Sequence, residues 1–302
     1  MTGDQERRPD QEHDQARREQ AVTDDVVASF ATAPSDRYRE VMVSLVRHLH
    51  AFARDVRLTD AEWRAGIAFL TRCGRATTKT RQEFILLSDV LGLSTLTVGI
   101  NAAAAGATES TVYGPFFVAG APEFELGADL SGGAPGQPCY VSGTVRDTAG
   151  GPVAGARVDI WAADEDGYYD VQYDGGGTAG RGWLRTDSAG GYCFWSVRPA
   201  PYPIPTDGPV GDLLTAADRG SMRPAHIHFL ITAPGYRTVT THAFAAGDVH
   251  LAGDAVFGVK ESLIAEFVEH PPGDAPQGRT LSVPWWRLDF DIVLAPETAL
   301  SG

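Results

Sequence analysis

The sequence predicts a mainly β fold with an α-helical N-terminal part, an antiparallel β-sandwich preceded by helices. Two observations carry that prediction. Up to about residue 95 apolar residues recur at helical spacing, and no proline interrupts the stretch after Pro34. Beyond about residue 100 glycine and proline become dense and short apolar runs alternate with turns. Many short strands separated by turns are the pattern of a sandwich.

Taken in order, residues 1–22 are charged and Gln-rich with almost no apolar content, and are expected to form a disordered tail or a frayed helix. Residues 23–105 are expected to be helical. Met42, Leu45, Val46, Leu49 and Phe52 share one helical face. Thr59-Asp60-Ala61-Glu62 has the form of a capping box before Trp63, Ile67 and Leu70, and Thr80-Arg81-Gln82-Glu83 has the same form before Phe84-Ile85-Leu86-Leu87. Residues 106–302 carry the strand candidates, at 140–145, 156–162, 192–197, 226–232, 238–244 and 288–294. The run from Gly143 to Val158, with Gly151-Pro152-Val153 and Gly155-Ala156 inside it, is common in small β-sandwich modules and says little about chemistry.

Charge and cysteine usage narrow the class. A formal charge of −14 over 302 residues argues against nucleic acid or an anionic membrane as partner, since both demand basic patches. Cys73, Cys139 and Cys193 are odd in number and widely spaced, which predicts free thiols in a reducing compartment. A polar N-terminus and the lack of a long apolar run predict a cytoplasmic protein that does not span a membrane.

Chemistry concentrates in Arg223-Pro224-Ala225-His226-Ile227-His228-Phe229. On a strand, residues i and i+2 face the same way, so both imidazoles project side by side, about 6–7 Å apart at Cα. Such a pair can share a metal ion, or can simply be one hydrogen-bonded face of a sheet. The strand holds no carboxylate. The distinctive oxygen donors lie upstream, in Gly167-Tyr168-Tyr169-Asp170 and Pro201-Tyr202-Pro203. A tyrosine hydroxyl with a pKa of about 10 is a poor ligand unless a highly charged cation holds it deprotonated, and hard phenolate oxygens suit Fe(III) better than zinc or copper. A zinc hydrolase built on the two histidines would need a third histidine or a carboxylate.

The set Gly167-x-Tyr169, Pro201-Tyr202-Pro203-x-Pro205 and Arg223-Pro224-Ala225-His226-x-His228, followed by Ala233-Pro234-Gly235-Tyr236, resembles the intradiol ring-cleaving dioxygenases. The resemblance runs from about residue 25 to the C-terminus. It implies one Fe(III) per subunit held by Tyr169, Tyr202, His226 and His228, with Tyr169 favoured over its neighbour Tyr168. It also implies a catecholic substrate chelated as a dianion and attacked by O2, with Tyr202 leaving the iron to accept a proton, and Arg223 stabilising negative charge beside the ring. The helical region would form a homodimer interface with a bound phospholipid as an accessory. Position 242 departs from the catechol-cleaving pattern, which carries Gln there. His242 is therefore an acid–base group, a hydrogen-bond group or a packed strand residue, and not an iron ligand.

Two stretches bear on the ring. Thr111-Val112-Tyr113-Gly114-Pro115-Phe116-Phe117 and Leu86-Leu87-Ser88-Asp89-Val90-Leu91-Gly92 resemble the pocket segments of the hydroxyquinol-cleaving members of the family. That implies a substrate pocket lined by Leu86, Asp89, Val112, Tyr113, Gly114, Pro115 and His242. Leu86 and Asp89 share a helix face, and a carboxylate there can accept a hydrogen bond from a third ring hydroxyl. The implied reaction is cleavage of hydroxyquinol (1,2,4-trihydroxybenzene) to 3-hydroxy-cis,cis-muconate. The alternatives are a catechol or chlorocatechol 1,2-dioxygenase with the same metal site, and a non-catalytic β-sandwich binding module.

Overall fold

The computed structural model describes residues 9–78, 81–102, 105–173 and 177–297. The chain divides into two compact units, Met1–Leu70 and Thr71–Gly302.

The first unit is helical. Helix α1 (Pro9–Ser29) covers most of the segment expected to be disordered or frayed. Pro9 suits the first position of a helix, where its missing N–H costs nothing. Farther along, Thr23 is buried and its hydroxyl meets both His50 Nδ1, at 2.9 Å, and Arg54, at 2.8 Å, on helix α2 (Asp36–Asp55). Those tertiary contacts are what a composition-based reading of residues 1–22 cannot weigh. Ser35 caps α2 by accepting the Tyr38 N–H. Helix α3 (Asp60–Ala76) opens on the expected capping box, with Glu62 accepting from the Thr59 amide at 2.8 Å and Thr59 from the Glu62 amide at 3.3 Å.

The second expected box lies in part outside the described residues, at Thr80. Helix α4 (Glu83–Val90) starts at Glu83, with Gln82 at the N-cap making no capping bond and donating instead to the Thr78 carbonyl at 2.9 Å. The Glu83 carboxylate is drawn inward. It accepts from Arg81 Nε at 2.9 Å and from the backbone N–H of Val210 at 3.1 Å, in the first turn of helix α6 (Pro209–Ala216). It thus caps a helix distant in sequence rather than its own. Helix α5 (Leu93–Ile100) follows α4 after Gly92, which takes a left-handed φ of 72°.

Two sheets make the sandwich. One comprises β1 (Pro138–Asp147), β4 (Gly191–Val197), β10 (Phe267–His270), β13 (Trp285–Asp289) and β14 (Ile292–Leu294). The other runs in the order β3 (Arg181–Arg185), β2 (Arg157–Ala162), β7 (His226–Thr232), β8 (Val239–Ala245), β9 (Ile264–Ala265). Two short ladders join β5 (Tyr202–Pro203) to β6 (Met222–Arg223) and β11 (Gly273–Ala275) to β12 (Arg279–Leu281). Pairing between these strands is antiparallel except for β1 with β13, β1 with β14 and β8 with β9.

The strand expected over 288–294 is broken in two. Around the break, the Phe290 N–H donates to Ser142 O at 2.8 Å and Asp291 accepts from the Thr144 N–H at 2.7 Å, so β1 changes partner from β13 to β14 there. Gly143 makes this possible: a Cβ at that position would lie 2.0 Å from the Phe290 carbonyl oxygen.

Alternation on β7 and β2 separates core from site. Ile227, Phe229 and Ile231, with Val158 and Ile160, enter the hydrophobic core with Val141, Val145, Phe194, Leu288 and Ile292 of the other sheet. The intervening His226, His228 and Trp161 face away from that core. They are buried all the same, among Phe117, Tyr169, Tyr202 and His242. The three cysteines are free thiols. No single helix among the described residues is long and apolar enough to cross a membrane.

Candidate metal centre

Strand β7 supplies two imidazoles, and a loop and the two-residue strand β5 supply two phenols. His226 Nε2 and His228 Nε2 lie 3.1 Å apart. Tyr169 Oη is 3.0 Å from His228 Nε2 and 3.1 Å from Tyr202 Oη, and Tyr202 Oη is 3.5 Å from His226 Nε2. All four side chains are buried. Tyr169 is fully enclosed whereas Tyr168 is 51% exposed, so of the adjacent pair only Tyr169 turns to the histidines.

Each donor is held from behind. His226 Nδ1 lies 2.7 Å from the Pro224 carbonyl, which can only accept, so the ring proton sits on Nδ1 and Nε2 keeps its lone pair for the cluster. Trp161 stacks on His228 with centroids 4.6 Å apart, and Phe116 stacks on Tyr169 at 4.6 Å. Arg181 bonds Asp170, next to Tyr169, at 2.6 Å and also donates to the Phe116 carbonyl at 2.9 Å, joining the two loops. Tyr202 lies opposite Arg223 in the β5–β6 ladder.

Burial decides the protonation states. It pushes His226 down to about 3, with the nearby Arg223 guanidinium adding to the effect. Burial, followed by the charges of His242 and His226, holds His228 well below the ordinary imidazole range. Both imidazoles are therefore neutral, the form that ligates metal. Burial raises Tyr169 well above the usual phenol value, as does its proximity to Tyr202. Tyr202 is also raised by burial, against the opposing pull of Arg223. Protein groups alone thus bring two neutral imidazole nitrogens and two phenols that stay protonated to one point. A hard, highly charged cation bound there would hold the phenols deprotonated, and two phenolate oxygens with two imidazoles are a donor set that fits Fe(III).

Arg223 is fully buried. Its Nη1 lies 3.2 Å from His226 Nε2, and its Nε and Nη2 reach Asp254 at 3.0 and 3.3 Å. Burial alone would raise Asp254, but Arg223 outweighs it and holds the carboxyl below its ordinary value. His242 lies opposite His228 in the β7–β8 ladder, with ring centroids 4.1 Å apart, and 4.7 Å from His226. The three histidines form a group able to share an ion, and both ring nitrogens of His242 are buried without a partner. The sequence reading named His242 but did not anticipate this grouping.

The expected pocket residues assemble in part. Leu86 and Val112 pack in a buried cluster with Val90, Ile204, Val210, Leu214, Ala255 and Val256. Asp89 is 2% exposed, its Oδ1 has no partner, and burial raises its carboxyl despite a hydrogen bond from Ser94. Gly114, at φ 70°, brings its backbone so close that a Cβ would touch His228 Cε1 at 3.4 Å. Pro115 and Leu86 line a cavity of about 420 Å³ with Phe116, Tyr168 and Ile204. Tyr113 stands apart, half-exposed and edge-on to Phe117. Trp161, Phe116 and Asp254 were not foreseen as site residues. Only the period-two alternation of β2 could have pointed to Trp161.

Comparison with known proteins places this geometry. Residues 112–296 match the family model described as "Dioxygenase", and residues 35–109 match "Catechol dioxygenase N terminus". A hydroxyquinol 1,2-dioxygenase of Rhodococcus opacus is 58% identical over 283 residues, covering 92% of this chain and 94% of that one. The crystal structure of hydroxyquinol 1,2-dioxygenase from Pseudomonas putida DLL-E4 superimposes with a TM-score of 0.85 at 44% identity, covering 93% of this chain and 100% of that one. Catechol 1,2-dioxygenase from Pseudomonas arvilla C-1 gives 0.79 at 27% identity, covering 93% and 92%.

Proposed function

This chain belongs to the intradiol ring-cleaving dioxygenase family, and we propose that it opens hydroxyquinol between its adjacent hydroxyl carbons with O2, giving 3-hydroxy-cis,cis-muconate, the enol of maleylacetate. The observation that carries the ring preference is the buried Asp89, with an oxygen that has no protein partner, on the same helix as the cavity residue Leu86. A site built to bond a hydroxyl discriminates strongly against a ring that lacks it. The 58% identity to a hydroxyquinol-cleaving relative, against 27% to the catechol-cleaving structure above, supports the same choice.

The family's cofactor is non-haem iron. We assign one Fe(III) per subunit to Tyr169, Tyr202, His226 and His228. When bound, the ion supplies Lewis acidity toward the two ring oxygens and the redox access that lets a diol react with O2. Tyr202 accepts a proton from the incoming diol. Arg223, oriented by Asp254, places a permanent positive charge where negative charge builds on the ring. Gly114 lies against His228, and we assign Val112, Tyr113 and Pro115, its neighbours in the chain, to the substrate pocket. His242 offers a hydrogen bond to a ring oxygen or a bound water, which accounts for its unpartnered nitrogens. A second reading, a zinc-type site on His226, His228 and His242, draws on the grouping of those rings.

The exposed apolar row of Val41, Leu45, Leu49 and Phe52 on α2 supports the wider reading. In that reading residues 23–105 form a homodimer interface able to hold a phospholipid, residues 106–302 form the catalytic domain, residues 1–22 precede both, and the enzyme works in the cytoplasm.

The test is a visible spectrum of the purified protein, before and after anaerobic addition of hydroxyquinol or catechol. A tyrosinate-to-Fe(III) band that shifts with hydroxyquinol, with faster turnover of that ring, is the expected result. An iron-loaded protein with no such band overturns the two-tyrosinate site, and bound zinc without a band favours the three-histidine reading. Equal turnover of catechol overturns the ring assignment.

A further inference from the structure

Arg219 lies outside the metal centre and is not among the expected site residues, yet it touches two of the elements that frame the ring pocket. Its Nη1 donates to the Val90 carbonyl at 2.7 Å and its Nη2 to the Ala255 carbonyl at 3.1 Å. Val90 is the last residue of α4 and follows Asp89 directly. A carbonyl at a helix end has no partner within its own helix, and a guanidinium there satisfies it and complements the helix dipole. Ala255 follows Asp254, the carboxylate that grips Arg223. Val256, next in the chain, packs against the Leu86 and Val112 cluster.

The loop between is shaped to receive Arg219. Asp254 gathers the backbone N–H of Gly258 at 2.9 Å. Phe257 takes a left-handed φ of 57°, a conformation that bulky L-residues rarely adopt. Its ring lies under the Arg219 guanidinium, 4.9 Å from ring centroid to Cζ, and a Cβ on Gly92 would meet the same ring at 3.6 Å. Thr95 Oγ1 adds a bond to the Val256 carbonyl at 3.1 Å. One planar fork therefore bridges the end of the Asp89 helix to the loop that orients Arg223.

We propose that Arg219 is a positioning residue that sets the distance between these two walls, and through it the fit of the third ring hydroxyl against Asp89. The second half of this inference rests on the proposed ring preference. A two-pronged bridge needs both donors of the guanidinium. Lysine, with a single ammonium, cannot hold both carbonyls in fixed register.

The experiment compares iron-loaded wild type, Arg219→Met, Arg219→Lys, Asp89→Ala and the double variant Arg219→Met/Asp89→Ala. Hydrogen exchange tests the bridge itself. In both Arg219 variants it is expected to rise at residues 90–92 and 255–258 while β7 stays protected and the visible band is unchanged. The ratio of kcat/KM for hydroxyquinol to that for catechol tests the consequence. It is expected to fall about tenfold in Arg219→Met, of the order that small misplacements cause, and to fall no further when that change is added to Asp89→Ala. Unchanged exchange at either segment, or a Lys variant indistinguishable from wild type, overturns the bridge. A fall in the ratio that persists undiminished in the Asp89→Ala background overturns the link to Asp89. If Asp89→Ala by itself leaves the ratio unchanged, the ring-preference reading fails, and the bridge is then judged by exchange alone.

Discussion

Tyr202 is buried, and the groups around its hydroxyl are Tyr169, His226 and the Arg223 charge. A phenol so buried is shielded from bulk solvent, which gives it value as an internal base once a cation lowers its pKa. Tyr202→Phe keeps the ring and its edge-on packing on Tyr169, with centroids 5.4 Å apart, and removes only the oxygen. The variant is expected to fold normally, to have an altered visible band and to lose roughly 100-fold or more in kcat, the usual worth of a positioned proton acceptor. Steady-state kinetics with a spectrum of the same sample check this, and unchanged turnover would remove Tyr202 from the chemistry. At this scale the sequence is most informative where spacing alone sets geometry, as at His226 and His228, two residues apart on one strand. It is least informative where a partner arrives from far along the chain. Asp254 is 31 residues from Arg223, and Trp161 reaches His228 only through the β2–β7 ladder.

Among elements, β1 shows how a strand is constrained by what it cannot accommodate. Gly143 faces the Phe290 carbonyl at the point where β1 passes from β13 to β14. Gly143→Ala forces the break between β13 and β14 to move, because the clash is with backbone rather than with a flexible side chain. Overpacking of this kind is expected to cost about 3 kcal/mol, read as a lower urea midpoint with an unchanged slope. A midpoint within error of wild type would show that the break adjusts freely. Hydrophobic patterning located β1, β2, β4, β7 and β8 to within two residues at either end, and did not foresee β3, β5, β6 or β9 to β12. It merged β13 and β14 because Phe290 continues the apolar run, and it could not distinguish parallel from antiparallel partners, since both use the same alternation. At Glu83 the sequence could not foresee a distant role: its carboxylate satisfies the N-terminus of α6, a partner no local window contains.

For the molecule as a whole, the helical face of α2 remains to be satisfied. Val41, Leu45, Leu49 and Phe52 lie on one face and are each between 45% and 56% exposed. A contiguous apolar row of this kind marks an interaction surface. Light scattering is expected to report a dimer for the wild type, with Leu49→Glu/Phe52→Glu shifting it toward monomer while the visible band of the metal centre persists. A dimer undiminished by two buried charges would place the interface elsewhere. Leu45, Leu49 and Phe52 were legible from the sequence as one helical face, though with Met42 and the buried Val46 rather than Val41. Their exposure was not, because periodicity identifies an apolar face without naming what covers it. The separation of core from site along β7 has a further consequence for variation. The strand carries two messages in alternate letters. Exchanges among apolar residues at 227, 229 and 231 are heard by the sandwich, and changes at 226 and 228 by the metal centre. Inserting a single residue in the strand would swap the two audiences, handing imidazoles to the core and aliphatic side chains to the ion.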